Sequence, residues 1–264
     1  MERYYRVGET DFAVRTTSSE FCGWLDHALG KYRKRKKAPV YYSVVVAGGE
    51  EKGQLGKGFH ILYRGTSPIV RTLHLPTLAR GLIQELESLT FAEREDAIYL
   101  DAALMSSNGT TAITPSNLVS YIGKLGRRVD RSGVQLPGST HVALDADSGR
   151  LVPIRPLLEI PEDAVTRAGE LASANGHRPD RRFMDEPLDP DMVLTFGGSE
   201  MALQPVSRGQ ALHRLASYVM NLEKLGGSAL EGLRTFIETK RCYTLGNGDA
   251  KGLLETVSRA LGNR

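Results

Sequence analysis

The sequence predicts an α/β protein: a smaller mixed α+β region over residues 1–95, then a core sheet with flanking helices over residues 96–264. Three observations lead there. Runs rich in Val, Ile, Tyr and Thr alternate with segments whose apolar residues recur every three or four positions. The composition, 41% hydrophobic and 25% charged with 28 glycines, is that of an ordinary globular chain. At 264 residues it can bury a full core without disulfides or a metal.

Residues 3–16 read as a hairpin around a GETD turn. A helix follows in SSEFCGWLDHALGKY, capped by Ser18 or Ser19, with Phe21, Trp24, Leu25, Ala28 and Leu29 as its core face. Runs at 41–47, 58–65 and 68–75 predict a three-stranded meander. From Pro76 a helix carries Leu78, Leu82, Leu86 and Leu89 on one face.

The second region opens with IYLDAALMSS and TTAIT, two strands joined by an Asn108-Gly109 turn. SNLVSYIGKLGRRV predicts one helix capped by Ser116 or Asn117, with Leu118, Ile122, Leu125 and Val129 buried. GVQL, THVALDADSGRL and VPI read as strands, with a DSG turn. EDAVTRAGELA reads as a short helix, and the Pro- and charge-rich stretch 174–190 as a loop. MVLTF and CYTLG are strands. Helices are expected over 207–225, 228–240 and 249–261, and no internal repeat is found.

Cys22 and Cys242 lack metal or redox spacing and read as reduced structural thiols. The N-terminus is charged from its second residue, and no stretch approaches the ~20 apolar residues of a membrane span. A cytoplasmic protein with no membrane contact is the expectation. A net charge of +3 is too small for general nucleic-acid binding. One basic patch stands out in KYRKRKK: Lys31, Arg33, Lys34, Arg35, Lys36 and Lys37. It reads either as a solvated helix end or as a phosphate or nucleic-acid site.

Several local sequences together resemble the HPr kinase-like proteins, especially a divergent branch found beside peptide-modifying enzymes in bacterial biosynthetic clusters. YYSVVVAGG with FHILYRGTSPIVRT is similar to that branch's N-terminal sheet. LDAALMSSNGTTAI resembles the strands leading into the phosphate loop, and LVSYIGKLGRRV the helix after it. VALDADSGRLVPIRPLLEIP, PVSRGQALHRLASYVMN and CYTLGNGDAKGLLETV resemble later family segments. The resemblance implies an HPr kinase-like, P-loop-related core.

The departures carry the functional expectation. A working member needs a Gly-rich loop ending in Lys and Ser or Thr, because backbone N–H groups wrap the phosphates, lysine neutralises them and the hydroxyl holds magnesium. Here the junction reads AITPSNLV, with neither glycine nor lysine between Ile113 and Leu118. Asp101 stands where the family tends to have histidine, and Leu136 to Thr140 replace an acidic loop. With these groups gone, phosphoryl transfer loses its electrostatic machinery. The expectation is a non-catalytic accessory or peptide- or protein-binding pseudoenzyme of ribosomal-peptide or other specialised biosynthesis, without cofactor or metal and open to oligomerisation.

The alternative is an atypical kinase or other transferase with a remodelled pocket. Asp101 and Asp145 would then be catalytic, and Ser116, Asn117, Ser139 and Thr140 would be pocket remnants. Rival motifs have plainer readings. GVQLPGST and GQLGKGFH lead into strands rather than helices, so neither sets a helix N-terminus against a phosphate. TFGGSEM reads as a turn, Asp145 and Asp147 as turn stabilisers, and His60 as a strand-face residue. No GxSxG elbow or paired-histidine metal motif is present.

Overall fold

The computed structural model describes residues 1–35, 38, 40–47, 58–123, 125–136, 141–145, 148–154, 158, 188–198, 202–246 and 248–262. It is a mixed α/β protein divided into two compact units, one running from Met1 to Thr90 and the other beginning at Phe91. Lys36, Lys37, Ser139, Thr140, Asp147, the helix expected in EDAVTRAGELA and nearly all of the loop 174–190 lie outside the described residues.

In the first unit, β1 (Glu2–Val7) and β2 (Thr10–Thr16) form the expected hairpin. Next come α1 (Ser19–Ala28), the two-residue β3 (Arg33–Lys34), β4 (Val40–Val45), β5 (His60–Arg64), β6 (Ser67–Thr72) and α2 (Leu75–Ala92). The sheet order is β3-β1-β2-β4-β5-β6, with β2 and β4 parallel and the other pairs antiparallel. Ser18 Oγ accepts the Phe21 N–H and so caps α1, satisfying one free donor of the first turn. Phe21, Leu25 and Ala28 of α1, with Leu29 just beyond its end, meet Leu78, Leu82 and Leu86 of α2 over Phe12, Tyr42 and Leu62. Trp24 packs on this core only half-buried, short of the core position expected for it. A Cβ on Gly81 would stand 2.6 Å from Val70 Cγ2, so glycine lets α2 lie tightly on β6.

The second unit is layered. Its five-stranded sheet has the order β13-β14-β12-β9-β8, built from β8 (Ala102–Ser107), β9 (Thr110–Pro115), β12 (Met192–Gly198), β13 (Gln204–Pro205) and β14 (Arg241–Gly246). β9, β12 and β14 run parallel. The β8–β9 turn uses Asn108 at φ 51° and Gly109 at φ 76°, the left-handed pair that matches strand twist in a two-residue hairpin. A three-stranded sheet joins β7 (Ile98–Leu100), β10 (Val142–Leu144) and β11 (Leu151–Pro153).

Side chains alternate across the large sheet. Leu104, Ile113 and Val193 face one core with α5 (Arg208–Ala216) and α7 (Gly227–Ile237). Met105, Ala112 and Leu194 face the other, with α3 (Ser116–Gly123), α4 (Arg127–Ser132) and α8 (Ala250–Gly262). A capping box between Ser207 and Gln210 starts α5.

Three of the elements expected in the second unit change. The single helix over SNLVSYIGKLGRRV is two, α3 and α4, because Gly126 adopts φ 46° and interrupts the helical path. The helix over 207–225 also breaks, leaving α5 and the short α6 (Leu222–Leu225). Between them the backbone is claimed by β7: the Asp101 N–H donates to the Tyr218 carbonyl and the Met220 N–H to the Tyr99 carbonyl, both at 2.8 Å. GVQL contributes an isolated bridge, Gln135 to Ser106, rather than a strand.

Candidate functional site

In open α/β sheets, ligands collect beyond the carboxyl ends of the parallel strands. Here β9 ends at Pro115 and α3 starts at the next residue, Ser116. Proline contributes no N–H. The Ser116 N–H is directed to the Asp101 carbonyl oxygen at 3.4 Å, and Ser116 itself is buried. No residue intervenes that could form a backbone cradle for phosphate, so strand passes to helix without a loop.

Beside this junction lies a cleft of about 460 Å³ lined by Asn117, Tyr121, Phe196, Gly248 and Leu253. That volume is in the range of small-molecule sites, roughly 300–1,000 Å³. Its walls are aromatic and apolar with one side-chain amide, and its lining contains no charged side chain among the described residues. The nearby strand end is packed tightly. Arg214 reaches from α5 to Thr195 Oγ1 and the Gly197 carbonyl, both at 3.4 Å. A Cβ on Gly198 would stand 3.0 Å from the Gly246 nitrogen, so glycine permits the close approach of β12 to β14.

Asp101 sits between β7 and β8, its main chain held by Tyr218 and Ser116. Its half-exposed carboxylate lies 3.8 Å from Nε2 of the buried His141. Burial lowers the proton affinity of His141, and the Asp101 carboxylate opposes that effect. The imidazole also faces the Phe91 ring, 5.8 Å between centroids. Burial raises the pKa of the Tyr218 hydroxyl nearby. A histidine–carboxylate pair can exchange a proton with a bound molecule. Among the described residues no group of three or more His, Cys, Asp or Glu could hold a metal.

The remaining sequence candidates separate. Asp145 belongs to the β10–β11 turn: its Oδ2 accepts from Ser148 Oγ at 2.9 Å and its Oδ1 from the Ser148 N–H at 3.4 Å. The described part of the basic segment, residues 31–35, is in the first unit: just past the end of α1 it enters a 3₁₀ turn, Gly30–Tyr32, and then the edge strand β3. Arg33 pairs with Asp26 at 3.3 Å and Lys34 with Asp11 at 3.1 Å, while Lys31 lies over the Tyr32 ring. Arg35 is exposed. His60 accepts the Ala47 N–H through Nδ1 at 3.1 Å, a strand-end role. His141, Arg214, Tyr121 and Phe196 were not singled out by the sequence. His141 and Asp101 are far apart in the chain, and no spacing motif links them.

Cys22 and Cys242 are buried free thiols. No described helix is long and apolar enough to cross a membrane. Comparison with protein-family models, with curated proteins and with solved structures finds no match to this chain.

Proposed function

We propose that this chain is a catalytically degenerate HPr kinase-like protein that binds a peptide or protein partner in the cytoplasm, within ribosomal-peptide or other specialised biosynthesis. The observation that carries the reading is the direct junction of Pro115 with Ser116. Phosphoryl transfer depends on positioned cations and backbone donors around the phosphates. At this strand end the first helical N–H is turned to Asp101, and the adjacent cleft is lined by aromatic and apolar groups. Two cations of the basic segment are paired with carboxylates, which weakens the case for nucleic acid there.

Isothermal calorimetry with ATP or GTP and magnesium tests the reading. The expected result is no saturable heat at millimolar nucleotide. Saturable binding that Tyr121→Ala or Asn117→Ala weakens would overturn it. The second reading, an atypical kinase or other transferase, is favoured by one observation, the Asp101–His141 pair. It would then require turnover that His141→Gln abolishes while the melting temperature holds.

A further inference from the structure

α4 and α8 lie together in the second unit, tied by the Ser258 hydroxyl, which donates to the Ser132 carbonyl oxygen at 3.0 Å. Their buried faces supply Val129, Leu254, Val257 and Leu261 to the core. Helical spacing then fixes what is left outside. Arg128 and Arg131 are three apart on α4, and Lys251, Glu255 and Arg259 are four apart on α8, so each set forms a row on its helix. The rows face one another across a groove of about 520 Å³.

Charge in this groove is one-sided. Among the described residues, four cations, Arg128, Arg131, Lys251 and Arg259, line it against a single carboxylate, Glu255. Glu255 is engaged by Lys251 at 3.8 Å. None of the three guanidiniums has a carboxylate partner among the described residues. Like charges gathered this way repel one another and are relieved by an incoming anion. The lining also defines the anion. Among the described residues it offers no aromatic ring on which a base could stack, and its apolar surface is that of the hydrocarbon stems of the basic side chains, with Leu254 nearly covered beneath them. Guanidinium groups take carboxylates as two-pronged partners. An apolar floor between such groups suits a chain in which acidic and apolar residues recur together.

We infer that the α4–α8 groove is a docking site for an acidic peptide segment carrying interspersed apolar side chains. This rests on the partner-binding reading and gives that partner a chemistry. The carboxylates seat on Arg128, Arg131 and Arg259, and an apolar side chain lies along the hydrocarbon stems of the basic side chains over Leu254.

The test is fluorescence anisotropy of a labelled peptide of four Glu-Glu-Leu repeats titrated with the whole protein. Saturable binding is expected, weakened by added salt and by at least about tenfold in Arg131→Glu/Arg259→Glu. Both positions are exposed, so the variant should melt like the wild type, and it should instead bind a Lys-Lys-Leu repeat peptide. Absence of binding, or binding unchanged in the variant, would overturn the groove. Displacement of the peptide by tripolyphosphate or single-stranded DNA at lower concentration than by unlabelled peptide would also overturn it, in favour of a phosphate site. These outcomes are separable from the parent reading. Saturable ATP binding in the Tyr121 cleft defeats the non-catalytic assignment whatever the groove does, and peptide binding outside the groove leaves that assignment standing.

Discussion

The two units treat buried polar groups differently. In the first, the Tyr5 and Tyr42 hydroxyls are enclosed without a hydrogen-bond partner among the described residues, and both phenols are pushed up by burial, Tyr42 to about 12. Tyr5 earns its position through its ring, stacked on Phe12 at 5.4 Å. In the second unit, buried Asn221 is fully engaged. Its Oδ1 accepts the Tyr99 N–H at 3.1 Å, and its Nδ2 donates to the Arg94 and Ala97 carbonyls at 2.8 Å. An orphan hydroxyl weakens a core, whereas a satisfied amide joins segments with no other reason to meet. The first unit is thus held mainly by volume, and the second partly by polar fasteners placed close to Asp101 and His141.

Asn221→Ala should break that contrast most sharply. It strands one N–H and two carbonyls, and a loss of about 3 kcal/mol is expected from the cost of unmet buried groups. Urea unfolding with unchanged m-value would check it, and a loss below about 1 kcal/mol would show that the network is ornamental.

His141 gives the next effect, as a pH dependence. Burial holds its folded-state pKa below the ordinary value, so the unfolded chain binds the proton more readily. Stability from neutral His141 is therefore full above about pH 6.5 and is lost as pH falls below it. The urea midpoint should drop between pH 7.5 and 5.5 in the wild type. The drop should be shallower in His141→Gln and steeper in Asp101→Asn, which removes the opposing carboxylate. Parallel profiles in all three proteins would count against the pair.

Smaller gains are expected where hydroxyls are orphaned. Tyr42→Phe should be neutral or stabilising by up to about 1 kcal/mol, since it deletes an unmet polar atom and keeps the ring. The smallest effect belongs to Thr114, whose Oγ1 is the second unit's own exception. Thr114→Val keeps the branched shape and should shift the thermal midpoint by no more than about 2 °C, upward. Destabilisation in either variant would reveal a partner for the hydroxyl and erase the contrast.

Local signals made much of the fold legible. The leucine row of α2, the Asn108-Gly109 hairpin and the Ser18 cap each act within a few residues, and each is where the pattern put it. What escaped depends on distant partners. Tyr218 to Met220 have helical sequence, yet their main chain pairs with Tyr99 and Asp101, over a hundred positions earlier. The same limit hid His141 beside Asp101, and it hid the groove, whose rows come from residues 127–132 and 250–262. A run such as Lys31 to Lys37 draws attention because its charges adjoin in sequence, but Asp11 and Asp26 answer two of them in space.

The adjacency of Pro115 and Ser116 also limits how this protein can change. A nucleotide loop is several residues long, so no single substitution could install one between β9 and α3. An insertion would be needed, and it would displace α3 while Leu118 and Ile122 are fully buried under it. Point mutation can therefore redecorate the Tyr121 cleft, whereas gaining a phosphate loop at this junction would have to cross an intermediate with a disrupted core.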